Sequence, residues 1–393
     1  MSGTKWNLTS PQGEGSFARQ AHADIPGNSF ERELGRDGFF GAASHMYHRN
    51  PPTAWDSISG AIEPRAFTMA AINERAKSPL DALTVLDSAT VSVRFWRADG
   101  PMPHLVRNSD GDDLLFVHHG GGDFFCDYGH LVLTEGDYVV VPRGTMWRLD
   151  ATEGTDLLMI ESTSVPYSLP DRAGIGRHAP FDPGVLDRPV LDAAFRAQDA
   201  RRGWEVHVKR GNKVGRIAYR FNPLDAIGWK GELYPVRLNV KDIRPLMSHR
   251  LHLPPSAHTT FIGNRFVVCT FAPRPLESDP GAMKLPFFHN NDDFDEVIFC
   301  HRGGLGSRGR LIGEGCFTFH PVGFTHGPHP DVLPRMFETP PANAMTGGYN
   351  VMIDTLDALS VGPIPKACEI DGYSGSWTKS IEHAPDAARS VQV

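Results

Sequence analysis

Short apolar runs separated by turn residues dominate the pattern of hydrophobic and polar positions along this chain. Residues 91–96, 204–209 and 317–320 alternate apolar and polar side chains with the two-residue period of a half-buried strand. Almost no segment sustains the 3.6-residue period of an amphipathic helix. The 40 glycines and 32 prolines divide the chain into short elements. The sequence therefore predicts a mostly β protein.

Two parts of the chain repeat each other in residue type and order. Residues 113–121 parallel residues 296–304, and residues 136–147 parallel residues 315–326. In each copy an apolar run leads into turn glycines, and a later glycine precedes a second apolar run. A repeat of this length marks one structural unit used twice. The sequence thus predicts two β units of the same kind.

The second copy contains metal-ligating residue types at fixed spacing. Residues 289–303 read H-x-N-x4-E-x6-G from His289 through Glu296, and residues 315–326 read G-x5-P-x-G-x2-H, ending at His326. Residues that face each other across neighbouring hairpins can point into one barrel. Two histidines and one carboxylate leave coordination positions open, as is typical of non-haem Fe(II) oxygen chemistry. These three residues are the predicted metal ligands.

The two motifs resemble the two-part signature of the cupin β-barrel. The resemblance predicts a mostly β bicupin with two β-barrel or jelly-roll domains. In the first copy Trp147 stands at the position of His326, Asp113 replaces the glutamate, and His104 lies too far upstream for the same hairpin. Tryptophan offers one N–H donor and cannot ligate a metal. The N-terminal domain is therefore predicted to be degenerate, with the metal site in the second domain.

Changes in composition set the predicted domain boundaries. Residues 1–85 are polar and rich in glycine and are predicted to form an N-terminal extension packed on the barrels. Residues 86–225 are predicted to hold the degenerate N-terminal cupin and a connection rich in proline and aspartate. Residues 226–365 are predicted to hold the catalytic metal-binding cupin. Residues 366–393 are predicted to form a C-terminal tail.

Length, charge and cysteine content limit the function classes. A chain of 393 residues is long enough for two or three domains, and its net charge of −7 argues against a nucleic-acid-binding surface. No apolar run approaches 18 residues, and the first residues do not read as a signal peptide. The five scattered cysteines predict neither a disulfide framework nor a zinc knuckle. We expect a cytoplasmic enzyme with no nucleic-acid or membrane partner.

The chain as a whole resembles homogentisate 1,2-dioxygenases, which are two-domain cupin enzymes with one Fe(II) per subunit. The likeness lies in W-K-G-E-L-Y-P at residues 229–235, H-L-P-P-S at 252–256 and H-H-G-G-G-D-F at 118–124. It covers the second half of the chain well and the rest weakly. The resemblance implies a small aromatic substrate, O2 as co-substrate, and a homo-oligomer that is a trimer or a hexamer.

The resemblance also implies roles for individual residues. It implies that the ligands of Fe(II) are His289, Glu296 and His326. The histidine of the H-L-P-P-S segment is the family's acid/base group, which carries over to His252. His320, six residues before the last ligand, matches a further family histidine and is the second predicted catalytic residue.

The chain departs from the family pattern around the proposed site. Six residues separate His289 from Glu296, where the family has five. Phe287 and Phe288 stand where the family has two tyrosines, and Leu305 stands where it has a third. A tyrosine hydroxyl can orient an anionic substrate, whereas phenylalanine and leucine cannot. The iron chemistry is therefore better supported than homogentisate itself as the substrate.

Several functions remain open at the level of sequence. Another cupin metalloenzyme would share the triad, either an oxygenase of a different substrate or a Zn- or Mn-dependent isomerase that needs no O2. A non-catalytic bicupin binding protein would not need the complete ligand set. The sequence favours an Fe(II)-dependent dioxygenase that cleaves the ring of a hydroquinone-type aromatic such as homogentisate.

Overall fold

The computed structural model of the protein describes residues 11–305 and 311–379, most of which lie in strands and the turns between them. Parts of the predicted N-terminal extension (1–10) and C-terminal tail (380–393) lie outside the described residues. The first eleven strands are β1 (Phe30–Gly35), β2 (Ala43–His48), β3 (Arg65–Thr68), β4 (Leu83–Asp87), β5 (Val91–Arg97), β6 (Leu105–Asn108), β7 (Gly111–His119), β8 (Gly121–Cys126), β9 (Gly129–Thr134), β10 (Asp137–Val141) and β11 (Met146–Ala151). The following eleven are β12 (Asp156–Thr163), β13 (Trp204–Arg210), β14 (Lys213–Tyr219), β15 (Val236–Asn239), β16 (Thr259–Ile262), β17 (Phe266–Phe271), β18 (Phe288–Asn290), β19 (Asp295–Arg302), β20 (Cys316–His320), β21 (Tyr349–Thr355) and β22 (Ser360–Val361).

The helices of the described residues are short. The α-helices are α1 (Ala193–Arg196) and α2 (Ser376–Lys379). Short 3-10 helices lie at Gly60–Ile62, Met69–Ala71, Pro79–Asp81, Pro183–Val185, Val240–Asp242, Pro255–His258, Pro330–Arg335 and Lys366–Cys368. Within this part of the chain no helix has the length and apolar composition needed to cross a membrane.

The first unit is a sandwich of two sheets. One sheet has seven strands in the order β15-β10-β7-β12-β5-β4-β22, and the other has six in the order β14-β13-β6-β11-β8-β9. Alternating side chains of both sheets meet in one core, because successive residues of a strand point to opposite faces. Trp96 and Leu115 enter this core from the seven-stranded sheet, and Phe124, Trp147 and Leu149 enter it from the six-stranded sheet.

The second unit packs against the first through its own six-stranded sheet, in the order β16-β17-β21-β19-β20-β3. The largest apolar core lies between this sheet and the seven-stranded sheet. It joins Leu114 and Phe116 of β7 to Val297 and Phe299 of β19. Because side chains alternate along β19, Glu296 lies on the face that points away from this shared core. The position of the proposed site follows from that alternation.

The repeat in the sequence is present in the strand pairing. β7 lies between β10 and β12, and β19 lies between β20 and β21. The register matches as well, since Val141 pairs with Asp113 in the first unit and His320 pairs with Glu296 in the second. The predicted mostly β fold with two cupin-type jelly-roll units is therefore confirmed.

The N-terminal segment supplies strands to the second unit. β1 pairs with β18 in parallel and with β2 in an antiparallel hairpin, so these three strands form a separate small sheet. β3 extends the six-stranded sheet by pairing with β20. In return, β15 pairs with β10 of the first unit. The two units are thus interleaved along the chain.

Candidate metal centre

The structure brings the three predicted ligands together. One donor atom from each of His289, Glu296 and His326 lies within 4.8 Å of the others. Nε2 of His289 is 3.7 Å from Oε2 of Glu296, and Nε2 of His326 is 3.5 Å from the same oxygen. All three side chains are buried. Ligands bound to one first-row ion at about 2.0–2.2 Å would be separated by comparable distances.

Backbone pairing places these ligands on adjacent segments. His289 lies on β18 and Glu296 is the second residue of β19, with the tight turn between them closed by a bond from the Phe294 N–H to the Asn291 carbonyl. His326 forms an isolated antiparallel bridge with His289, with N–O distances of 2.9 and 3.0 Å. The hairpin therefore accommodates its additional residue while both of its ends remain in the ligand cluster.

The ring orientation of His289 fits a metal ligand. Its Nδ1 lies 3.0 Å from the carbonyl oxygen of Phe287. A carbonyl oxygen can only accept a hydrogen bond, so Nδ1 carries the proton and Nε2 of the neutral ring carries the lone pair. This Nε2 is buried and makes no hydrogen bond within the described residues. Ligating histidines commonly donate their other ring N–H to a carbonyl in this way.

A chain of polar contacts through His320 and Tyr373 holds Glu296 in place. Oε1 of Glu296 lies 2.6 Å from Nδ1 of His320, and Nε2 of His320 lies 2.8 Å from the hydroxyl of Tyr373. Burial alone would raise the pKa of Glu296, but the neighbouring His326, His289 and His320 outweigh burial and hold this pKa well below its usual range. Glu296 is therefore ionised and directs Oε2 at the two histidines that face it.

The two units balance equivalent acidic pairs in different ways. In the first unit Asp113 lies opposite Glu161, and the Arg94 guanidinium is 3.2 Å from Asp113. In the second unit Glu296 lies opposite Asp354, and within the described residues no lysine or arginine pairs with either. Burial, and then the charge on Glu296, raise the pKa of Asp354 well above its usual range. A bound cation at the ligand cluster would supply the charge that Arg94 supplies in the first unit.

The first unit has apolar groups where the second has His320 and His326. Trp147 is buried and stacks on Phe124, with ring centroids 5.3 Å apart. Val141, the counterpart of His320, is also buried in that core. His104 lies beside Ser78, with its Nε2 3.0 Å from the hydroxyl. In the N-terminal unit, the predicted loss of the metal site corresponds to apolar packing around Trp147 and Val141.

The predicted base lies across Phe287 from the ligand cluster. The ring centroid of Phe287 is 6.3 Å from His252 and 5.3 Å from His289. Nδ1 of His252 lies 3.0 Å from Oε1 of Glu277, which also accepts from Arg274 at 2.8 Å. Burial lowers the pKa of His252, although Glu277 acts in the opposite direction. The lowered pKa keeps the ring neutral, and Nη2 of Arg274 lies 3.4 Å from the same Nδ1.

Aromatic groups form the wall beside the ligands. Phe287 and Phe288 are both buried. Phe287 stacks on His22 of the N-terminal segment with centroids 3.9 Å apart, and Phe39 meets the ring of His289 edge to face. Leu305 packs against the apolar clusters of β19. The N-terminal segment therefore contributes directly to the surroundings of His289.

Sequence reasoning did not identify Glu277, Asp354 and Tyr373. Each contacts a predicted site residue or lies opposite one, yet each lies outside both motifs: Glu277 is 12 residues before His289, and Asp354 and Tyr373 are 28 and 47 residues after His326. The repeat carried one signal, because Glu161 and Asp354 occupy equivalent strand positions opposite Asp113 and Glu296. Glu277 and Tyr373 offered no comparable signal.

Comparisons with known proteins agree with this architecture. A family model described as "Homogentisate 1,2-dioxygenase N-terminal" matches residues 81–240. A relative from Saccharolobus solfataricus, described as "Putative dioxygenase SSO1533", is 31% identical over 369 residues, covering 89% of this chain and 93% of that protein. Homogentisate 1,2-dioxygenase of Homo sapiens is 24% identical over 300 residues, covering 72% of this chain and 66% of the human protein.

A solved structure with related architecture is a cupin 2 conserved barrel domain protein from Leptotrichia buccalis. It has a TM-score of 0.35 and 9% identity and covers 74% of this chain and 95% of its own. The sequence relationship carries the assignment, because the Saccharolobus relative aligns along nearly its whole length. The chain belongs to the homogentisate dioxygenase family of cupin proteins.

Proposed function

We propose that this protein is an Fe(II)-dependent dioxygenase that cleaves the ring of a hydroquinone-type aromatic such as homogentisate, with O2 as co-substrate. The observation that carries the proposal is the convergence of His289, Glu296 and His326, with the lone pair of His289 directed into the cluster. Membership of the family supports the dioxygenase class.

Three side chains would hold the iron and leave room for substrate and O2. His289 and His326 offer Nε2, and Glu296 offers Oε2. When bound, Fe(II) supplies the electron transfer between the aromatic ring and O2 that organic side chains cannot perform. Two neutral imidazoles and one carboxylate leave a net charge of +1 on such a site, which favours a phenolate ligand.

His252 would take the proton of the substrate hydroxyl. A base must be deprotonated before it acts, and burial lowers the pKa of His252. The carboxylate of Glu277 lies 3.0 Å from Nδ1, so Nε2 is the nitrogen that would accept the proton. The pKa of Glu277 is lowered despite its burial, so this carboxylate also stabilises the imidazolium once it forms.

His320 would orient Glu296 rather than act as the base. Its two ring nitrogens contact Glu296 and Tyr373 at 2.6 and 2.8 Å. A carboxylate ligand held by such contacts keeps one oxygen directed at the metal. We therefore assign the base to His252 and a positioning role to His320.

O2 consumption by the Fe(II)-loaded protein tests the proposal against its main alternative. The substrates would be homogentisate, gentisate, alkyl-hydroquinones and catechols, with ¹⁸O2 used to follow the oxygen atoms. We expect O2 uptake with both labelled atoms in a ring-opened product. Turnover with Zn or Mn in the absence of O2 would instead identify an isomerase.

We also propose that the protein forms a homo-oligomer, a trimer or a hexamer, as the family resemblance implies. The β13–β14 ribbon supports this, because β14 is an edge strand and carries Val214 and Ile217 exposed to solvent. Unpaired edges and exposed apolar side chains are typical of surfaces that are covered on assembly. Light scattering coupled to gel filtration would measure the mass.

A further inference from the structure

A second cluster of metal-ligating side chains lies on the N-terminal hairpin. One donor atom from each of His22, Glu31 and His45 lies within 4.8 Å of the others. Oε2 of Glu33 lies 3.1 Å from Nε2 of His22 and 3.1 Å from Nε2 of His45. These four residues, here named the hairpin cluster, belong to neither cupin motif.

Strand geometry explains why these side chains converge. Glu31 and Glu33 are two residues apart on β1 and therefore point to the same face. In the register of the hairpin, Glu33 lies opposite His45 and Glu31 lies opposite Tyr47. His22 reaches this face from the preceding segment, where its backbone N–H donates to Glu31 at 2.9 Å. The convergence is thus built into the hairpin.

We propose that the hairpin cluster binds one divalent transition-metal cation through Nε2 of His22, Nε2 of His45 and a carboxylate oxygen of Glu33. The contacts of 3.1 Å from Oε2 of Glu33 to Nε2 of His22 and to Nε2 of His45 match those of adjacent ligands of one ion. Imidazole and carboxylate together suit Zn²⁺, Fe²⁺, Co²⁺ or Mn²⁺ better than the oxygen-only ligand sets preferred by Ca²⁺ and Mg²⁺.

Glu31 supports the first of these ligands. Its Oε2 lies 2.8 Å from Nδ1 of His22, and its Oε1 accepts from the hydroxyl of Tyr47 at 3.1 Å. A carboxylate that accepts from Nδ1–H leaves Nε2 with its lone pair toward the ion. This arrangement of carboxylate, histidine and metal orients ligands in many metal sites and raises their basicity.

The charge of the buried groups favours a divalent cation. Glu31 and Glu33 are both buried, and together they carry two negative charges. Within the described residues no lysine or arginine pairs with either one, and the guanidinium of Arg32, between them in sequence, bonds to Asn290 at 2.7 Å instead. Buried charges need compensation. One divalent ion with two neutral histidines makes the cluster neutral.

Protons on the two histidines are the competing source of positive charge. Burial lowers the pKa of His22, but hydrogen bonds to Glu31 and Glu33 outweigh it and raise this pKa overall. The side chain of His45 is 25% exposed, so the hairpin cluster can exchange a bound ion with the solution. A metal ion and a pair of protons predict different metal contents, so they can be told apart directly.

The site would fasten the hairpin to the strand that carries His289. β1 pairs with β18, with Glu33 opposite His289 in the register. His22 stacks on Phe287, whose carbonyl oxygen holds the ring of His289. The inference does not depend on the proposed dioxygenase activity, because neither the donor atoms of the hairpin cluster nor its charge involves the iron ligands.

Metal stoichiometry tests the inference. Metal-free protein would be equilibrated with Co²⁺, freed of unbound metal and analysed for cobalt per chain. We expect two equivalents in the unaltered protein, one in His45→Ala, one in His289→Ala and none in the double variant. His207→Ala is the matched control, because His207 forms a histidine–glutamate pair with Glu205 at 3.0 Å on the β13–β14 ribbon and should leave two equivalents.

The outcomes separate the two sites. One equivalent in the unaltered protein that is retained in His45→Ala and lost in His289→Ala, or two equivalents retained in both His45→Ala and Glu33→Gln, would overturn the hairpin site. Failure of the iron site would appear instead as one equivalent in the unaltered protein that is retained in His289→Ala and lost in His45→Ala. A second measurement is thermal unfolding, in which Co²⁺ should raise the Tm of His289→Ala but not that of the double variant.

Discussion

The proton on Nδ1 of His289 decides which nitrogen of that ring can meet a cation. The Phe287 carbonyl fixes it there, and Glu296 and His326 complete the set. His289→Ala, Glu296→Ala and His326→Ala should each abolish turnover and reduce bound iron, measured by O2 uptake and iron analysis. Trp147→Phe is the control at the equivalent position of the first unit and should retain iron. Loss of iron in that control would contradict a single cupin metal site.

The His252–Glu277 pair allows a prediction about proton transfer. His252→Ala should retain iron but lower turnover by about 10²- to 10⁴-fold, the usual contribution of a base. Because the Glu277 charge raises the pKa of His252, Glu277→Gln should lower that pKa further. Activity is lost as pH falls through the pKa of the base, so the acid limb of the kcat/KM profile should move to lower pH. An unmoved limb would remove Glu277 from this role.

The aromatic wall leads to a prediction about substrate range. Phe287, Phe288 and Leu305 replace three hydroxyls of the family pattern. A hydroxyl that bonds a substrate contributes about 0.5–1.5 kcal/mol, and more when the partner is charged. We expect homogentisate to bind more weakly here than a hydroquinone with a smaller or less charged substituent. Steady-state kinetics of the protein and of Phe287→Tyr measure this, and a clear preference for homogentisate in both would refute it.

The three proposed ligands come together in the structure, as the spacing of the two motifs predicted. His289, Glu296 and His326 needed no knowledge of distant segments. Glu277 and Tyr373 reach the site through tertiary packing, which leaves no periodic trace in the sequence. Residues such as Glu277 and Tyr373, which position other site residues, are therefore the ones that the sequence does not predict.

At the level of elements, the repeat shows one strand arrangement with two different interiors. Arg94 contacts Asp113 and Glu161 within the first unit. Arg94→Met should lower the free energy of unfolding by about 3–5 kcal/mol, because it leaves the carboxylates buried without that partner. Urea unfolding measures this change. Arg201→Ala, at a side chain 96% exposed, should change it little, and equal effects would contradict the argument.

The N-terminal strands escaped sequence reasoning for an identifiable reason. β1 buries Glu31 and Glu33, so its inward face is acidic rather than apolar. A pattern search reads such a strand as solvent-exposed, because buried carboxylates are rare unless paired. The strands of the two cupin units bury ordinary apolar residues and were visible. The strand β1 was therefore hidden because its buried face is acidic.

At the scale of the whole molecule, the buried acids of the first unit make stability depend on pH. Burial and the Glu161 charge raise the pKa of Asp113 to about 6 from its ordinary 3.8, despite Arg94. The folded state then holds the proton more tightly than the unfolded chain, so stability falls as pH rises from about 4 to about 6. Urea unfolding across this range should show a shallower fall in Asp113→Asn. Equal slopes would contradict it.

The parallel pairing of β1 with β18 has a consequence during synthesis on the ribosome. Arg32 and Asn290 bond to each other across 258 residues of sequence. At a translation rate of about 5–20 residues per second, β1 emerges roughly 10–50 s before its partner strand exists. During that interval it presents an open strand edge, which is prone to join other nascent chains. Charged residues along an edge discourage such pairing. We therefore expect Glu31 and Glu33, which make β1 part of a candidate cation site, also to discourage pairing between nascent chains before β18 is synthesised.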